Sequence, residues 1–142
     1  MSPESRRAAG ILLVILPTVI FGGVSILSLL ISPQSAYMNN PLRQDLWRAG
    51  HAHAGVFLVL SLVALRYVDE AVLSNPLKSF VRWALPAAAI LLPGAFFLSV
   101  LTPNATEPGG VIYLAYAGAI VLAAGLITLG IGLIRRVRQS EV

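Results

Sequence analysis

The chain has 142 residues, 57% of them hydrophobic and 11% charged, far from the roughly half apolar and one-quarter charged balance of soluble domains. Its 10 basic residues against 6 acidic ones sit singly or in pairs beside long apolar runs, a distribution that fits membrane topology and excludes a basic stripe for nucleic acid. There is no cysteine, so disulfides, thiolate metal sites and cysteine nucleophiles are excluded, and any metal must use histidine, carboxylate or methionine.

Residues 9–31 carry no charge. At about 1.5 Å of rise per residue, a helix of that length crosses a hydrocarbon core of about 30 Å. Arg6 and Arg7 precede it, but the run is too long for a signal peptide and Gln34-Ser35-Ala36 is a poor cleavage site, so the span is expected to be retained. After a polar link over 32–39, Asn40-Pro41 reads as an N-cap with proline in the first turn, opening a helix through Leu42 and Trp47 into a second span over 47–68. Asp69, Glu70 and then Asn75-Pro76 mark its end and a turn. A third span covers 80–101, a loop rich in proline and glycine covers 102–110, and a fourth span covers 111–134 before Arg135, Arg136 and Arg138. The expected fold is an all-α membrane protein, a single four-helix transmembrane bundle.

Four spans place both termini and the middle loop on one side. That side gathers Arg6, Arg7, Arg66, Lys78, Arg82, Arg135, Arg136 and Arg138, against Arg43 and Arg48 opposite. The bias assigns the termini to the cytoplasm, and the short loops suggest a multi-pass protein of a bacterial plasma membrane. Asn104-Ala105-Thr106 matches a glycosylation sequon, a three-residue pattern of low specificity. Ala52-His53-Ala54-Gly55 in the second span recurs as Ala115-Tyr116-Ala117-Gly118 in the fourth, so a duplicated helical hairpin and chance similarity between Ala/Gly-rich helices both stand.

His51 and His53 are the only histidines, and ionisable groups at membrane depth point to a functional site. Residues two apart on a helix diverge by about 160°, so one ion cannot take both from one regular helix. A metal site would therefore use His53 or His51 singly, each with partners from elsewhere. Gly50, Ala54, Ser61 and Ala64 form a small-residue stripe suited to close helix packing. His53 lies on one flank of that stripe, nearer to it; His51 lies on the other, with Trp47, Arg48 and Gly55. The expectation is that His53 is the ligand and His51 an interfacial or supporting group.

Ala52-His53-Ala54, followed by Gly55-Val56-Phe57-Leu58-Val59-Leu60, resembles helix II of heme-copper oxidase subunit I, and Phe21-Gly22-Gly23 with Ser28-Leu29-Leu30-Ile31 resembles that family's first helix. The resemblance covers about a third of the chain, residues 12–65 at most. It implies that His53 corresponds to an axial ligand of a low-spin heme b, with copper a lesser alternative. The family's other heme and copper histidines have no counterpart here, so oxygen reduction is not implied. Two histidines on one iron would have to come from two chains, which makes homo-oligomerisation a condition of heme binding. A trimer of this chain would imitate the family's three four-helix arcs.

Arg48 and Tyr116 complete the candidate cofactor-binding set, Arg48 through a propionate or lipid and Tyr116 by facing His53. Their plainer readings are an interfacial anchor, with Asp45 and Arg48 as a solvated pair, and a place in the outer aromatic belt beside Tyr113. Pro17, Pro86 and Pro93 interrupt the first and third spans. Gly118, Ala119, Ala123, Gly125, Gly130 and Gly132 give the fourth a small-residue surface. No residues are expected to be catalytic. Three readings of function follow: an accessory or structural subunit of a larger membrane complex, such as a respiratory one, or of a homo-oligomer; a heme b or metal-binding protein using His53 for electron transfer or sensing; and a small oligomeric pore or transporter with proton-sensitive histidines.

Overall fold

A computed structural model describes residues 1–140, with side chains described through Arg136, so Arg138 lies outside the described side chains. The described residues are helical with no strand: α1 (Pro3–Ile31), α2 (Pro41–Tyr67), α3 (Asn75–Ser99) and α4 (Leu114–Ser140). Short 3-10 turns at Pro33–Ser35 and Tyr37–Asn39 join α1 to α2, and another at Gly110–Tyr113 leads into α4. All four helices are long and apolar enough to cross a membrane.

The first three helices begin earlier than their expected spans, whereas α4 begins at Leu114, three residues after the start of its span. In α1 the Ser2 hydroxyl accepts from the Ser5 N–H and Pro3 occupies the first turn, so the helix starts a turn and a half before the uncharged run. The Asn40 cap forms as expected, its side-chain oxygen accepting the Arg43 N–H at 3.0 Å. Its amide nitrogen donates to the carbonyls of Pro103 and Ala105, both at 2.9 Å, tying the 102–110 loop to the start of α2. Pro17, Pro86 and Pro93 all sit within continuous helices, and Pro86 and Pro93 are buried.

Packing follows chain order, α1 on α2, α2 on α3 and α3 on α4, so α1 and α4 form the edges of an open-sided layer. Half of the apolar window of α3 is buried against 11% of that of α1, so α3 is the central element. One core cluster joins Ala64 and Val68 to Val81, Ala84, Leu85 and Leu129; a second joins Ala8 and Leu12 to Leu58, Leu65 and Ala89.

The glycines of α4 explain its close approach to α3. A Cβ at Gly118 would stand 3.0 Å from the backbone nitrogen of Leu92, and one at Gly125 would meet Leu85 and Ala84 at 2.7 and 3.1 Å. At Gly132 it would meet Leu73 and Ala71 at 2.6 and 2.9 Å, where the Val72 N–H also donates to the Gly132 carbonyl at 2.9 Å. These glycines recur every seven residues along one face. Ala119 and Ala123 are exposed and Gly130 has open space around it, so only part of the small-residue surface of α4 is used within the chain.

At the end carrying the N-terminus, Asp69 ties three helices together. Its carboxylate accepts from the Ser2 N–H at 2.6 Å, the Ser5 hydroxyl at 3.1 Å and Arg82 Nη2 at 2.9 Å. Arg82 Nε donates to the Ser5 hydroxyl at 2.9 Å, and Lys78 donates to the Asp69 carbonyl at 3.1 Å. Burial raises the Asp69 pKa, but the hydrogen bonds from Ser2, Arg82 and Ser5 outweigh it and hold the carboxyl down at about 2.

Candidate functional site around His53

α2 passes between α1 and α3, and the histidines use both sides of it. Gly50 packs against α3, where an added Cβ would lie 3.0 Å from Phe97 and 3.3 Å from Phe96. His53 lies on the same side, its ring set edge-on to Phe57 and Phe96 with centroids 5.4 and 5.5 Å away. His51 lies toward α1, where a Cβ on Gly23 would stand 2.9 Å from its Cε1 and Nε2. Gly23 therefore supplies the space that the His51 ring occupies. The divergence follows from helix periodicity, and no single ion can reach both rings in one chain.

The His53 ring is oriented by its backbone. Its Nδ1 lies 2.7 Å from the Ala49 carbonyl, which can only accept, so Nδ1 donates, and Nε2 has no hydrogen-bond partner among the described residues. A backbone carbonyl on one imidazole nitrogen is the usual means of orienting a histidine whose other nitrogen binds a metal. Beside the ring is a shallow recess of about 250 Å³ lined by Ala52, Val56 and Phe57. His51 lines a separate apolar groove with Leu16, Val19, Ile20, Gly23, Val24 and Leu27, and makes no side-chain hydrogen bond among the described residues.

Arg48 does not reach His53. Its Nε donates to the Gln44 carbonyl and its Nη2 to the Gln44 side chain, both at 3.2 Å, while Asp45 stands at 3.5 Å as an exposed partner. Gln44 is buried and its amide donates in turn to the Tyr37 and Met38 carbonyls at 3.2 Å. Tyr116 is 68% exposed and stacks on Tyr113 at 6.3 Å, so a single chain does not bring it to His53. The two positions matched by the Ala-His-Ala-Gly echo thus have different surroundings, one facing α3 and the other facing outward.

Trp47, placed on the flank of His51 by helix spacing, extends its ring to another helix. Its indole crosses to α3, donating to the Phe97 carbonyl at 3.3 Å, and lies between Tyr37 and Phe97 with Arg43 4.1 Å above the ring. An indole is long enough to leave the helical face its Cα belongs to, which spacing alone does not reveal. Tyr37, fully buried beneath this group, had no signal in the sequence beyond its position in a polar link.

No group of three or more metal-ligating side chains occurs among the described residues. Comparison with protein-family models, with curated proteins and with solved structures found no match.

Proposed function

We propose that this chain is a multi-pass membrane subunit that works in an assembly, either a homo-oligomer or a larger complex, and not as a lone monomer. What carries the reading is the divergence of the two histidines. The polar groups of α2 at membrane depth point to opposite sides, toward α1 and toward α3, so any site built on them is completed by another chain or an added group. The open-sided helix layer, with α1 and α4 as free edges, leaves surface for such a neighbour.

A second reading is favoured by the bond that orients the His53 ring: His53 would hold the iron of a heme b. The Nδ1 bond to Ala49 and the unbonded Nε2 suit that role, and the recess lined by Ala52, Val56 and Phe57 is apolar as a macrocycle requires. Its volume of about 250 Å³ makes it one wall, so a second chain would supply the other wall and the other ligand. A bound heme would supply one-electron redox chemistry; the chain's part is to orient the imidazole, through Ala49 and the flanking Phe57 and Phe96, and to exclude water.

Absorption spectra of the protein purified in mild detergent, oxidised and dithionite-reduced, test this reading, with native mass spectrometry giving the number of chains per particle. The heme reading expects sharp reduced α and Soret bands from an oligomer, lost in His53→Ala and kept in Tyr116→Phe. A colourless oligomer would end the heme reading and leave the subunit reading intact; a colourless particle of one chain, with no co-purifying partner, would end both.

A further inference from the structure

We propose that the cleft between the starts of α1 and α3 binds the headgroup of a phospholipid bearing a primary ammonium, of the phosphatidylethanolamine type. The cleft, about 350 Å³, is lined by Glu4, Arg7 and Ile11 of α1 and by Ser79, Arg82 and Trp83 of α3, with Ala8 closing its floor. It lies at the helix ends, where a headgroup belongs if the four helices span a membrane. Along α1 its lining changes from charged to apolar between Glu4 and Ile11, about 10 Å of helix, which is the polarity gradient from headgroup to acyl chain.

The charges in the cleft are incompletely used within the protein. Arg82 commits Nε and Nη2 to Ser5, Ser2 and Asp69, while its Nη1 has no partner among the described residues and is not sealed off. Neither Arg7 nor Glu4 forms an ion pair among the described residues. Because Asp69 balances Arg82, the remaining pair of Arg7 and Glu4 leaves the cleft close to neutral. A neutral cleft with separate positive and negative sites suits a zwitterion better than a second net negative charge. Arg7, Arg82 Nη1 and the Ser79 hydroxyl take the phosphate. Glu4 takes the ammonium, whose three N–H donors a trimethylammonium lacks.

The test uses the full chain with Trp47→Phe, which leaves Trp83, at the opposite end of the molecule, as the single tryptophan, excited selectively over the tyrosines. It is reconstituted in phosphatidylcholine vesicles carrying increasing fractions of phosphatidylethanolamine with dibrominated acyl chains. Quenching of Trp83 is expected to show about fivefold tighter association of the ethanolamine lipid than of dibrominated phosphatidylcholine. Glu4→Gln should abolish that preference, Arg7→Gln should weaken association of both lipids, and Arg6→Gln, whose parent residue lies outside the cleft, should change neither. Native mass spectrometry of the chain with both tryptophans, scoring retained lipid, gives the same comparison should Trp47→Phe disturb the fold. The proposal is overturned by equal association of the two lipids, by preference for phosphatidylglycerol over the ethanolamine lipid, or by an Arg6→Gln effect equal to that of Arg7→Gln. Displacement of the lipid by millimolar soluble phosphoethanolamine would assign the cleft to a free phosphate ester and overturn the lipid assignment.

Discussion

Two neighbouring carboxylates show how exposure, not distance, sets the worth of an ion pair. Arg66 and Glu70 stand 2.7 Å apart, closer than Arg82 and Asp69 at 2.9 Å, yet their side chains are 62% and 40% exposed against 12% and 18%. Water screens the first pair, so Arg66→Gln is expected to cost about 0.5 kcal/mol or less. Asp69→Asn strips the partner from a largely buried guanidinium and should cost about 3 kcal/mol, read as a fall in thermal midpoint by circular dichroism in detergent. Because the folded Asp69 pKa, about 2, lies below its ordinary 3.8, this stabilisation is present above pH 3.8 and is lost as pH falls through about 2. The difference corresponds to about 2 kcal/mol, so wild type should lose stability between pH 4 and pH 2 while Asp69→Asn shows a flatter profile there. Sequence reading placed Asp69 only as the end of a span, since its partners Ser2, Ser5 and Arg82 come from two other helices. The histidines were more legible: a spacing of two on a helix fixes their divergence without any tertiary information, and His53 lies on the side of Gly50 that meets α3.

At the scale of elements, the four helices were legible because an apolar run of membrane length has few alternatives. The direction in which each small-residue face points was not, because alanine and glycine favour close approach without choosing a partner. Gly118, Gly125 and Gly132 turn out to face α3 and the loop before it, and Gly130 does not. That difference gives an internal control. Gly130→Ala places a methyl in open space and removes a flexible residue from a helix interior, so it should be neutral or stabilising by up to about 1 kcal/mol. Gly132→Ala drives a methyl against Leu73 and Ala71 and weakens the approach that allows the Val72 bond to the Gly132 carbonyl; a loss of about 1–3 kcal/mol is expected. Thermal melts of the two variants in the same detergent, side by side, decide it: equal midpoints would mean that α4 does not pack on the link before α3 through Gly132.

For the whole molecule, the proposed membrane placement raises the question of which side each end would face, and the charges predict one answer. Arg6, Arg7, Arg66, Lys78, Arg82, Arg135 and Arg136 belong to the end of the helix layer that holds the Asp69 cluster, while the other end holds Arg43 and Arg48. Asp69 and Glu70 at the first end do not cancel the bias, because acidic residues contribute little to topology and Asp69 is in any case tied to Arg82. The opposite end is closed by Asn40 holding the 102–110 loop, a polar segment with no basic residue to retain it in the cytoplasm. Two reporters follow. With the chain expressed in a bacterial host, this orientation expects a fluorescent protein fused after Val142 to fold and fluoresce on the cytoplasmic side. Because the native chain has no cysteine, Asn104→Cys places a single thiol in the 102–110 loop, where this orientation expects a membrane-impermeant maleimide to label it in intact cells. A dark fusion together with an unlabelled Asn104→Cys would invert the topology, placing the Asp69 cluster and the proposed lipid cleft at the outer leaflet.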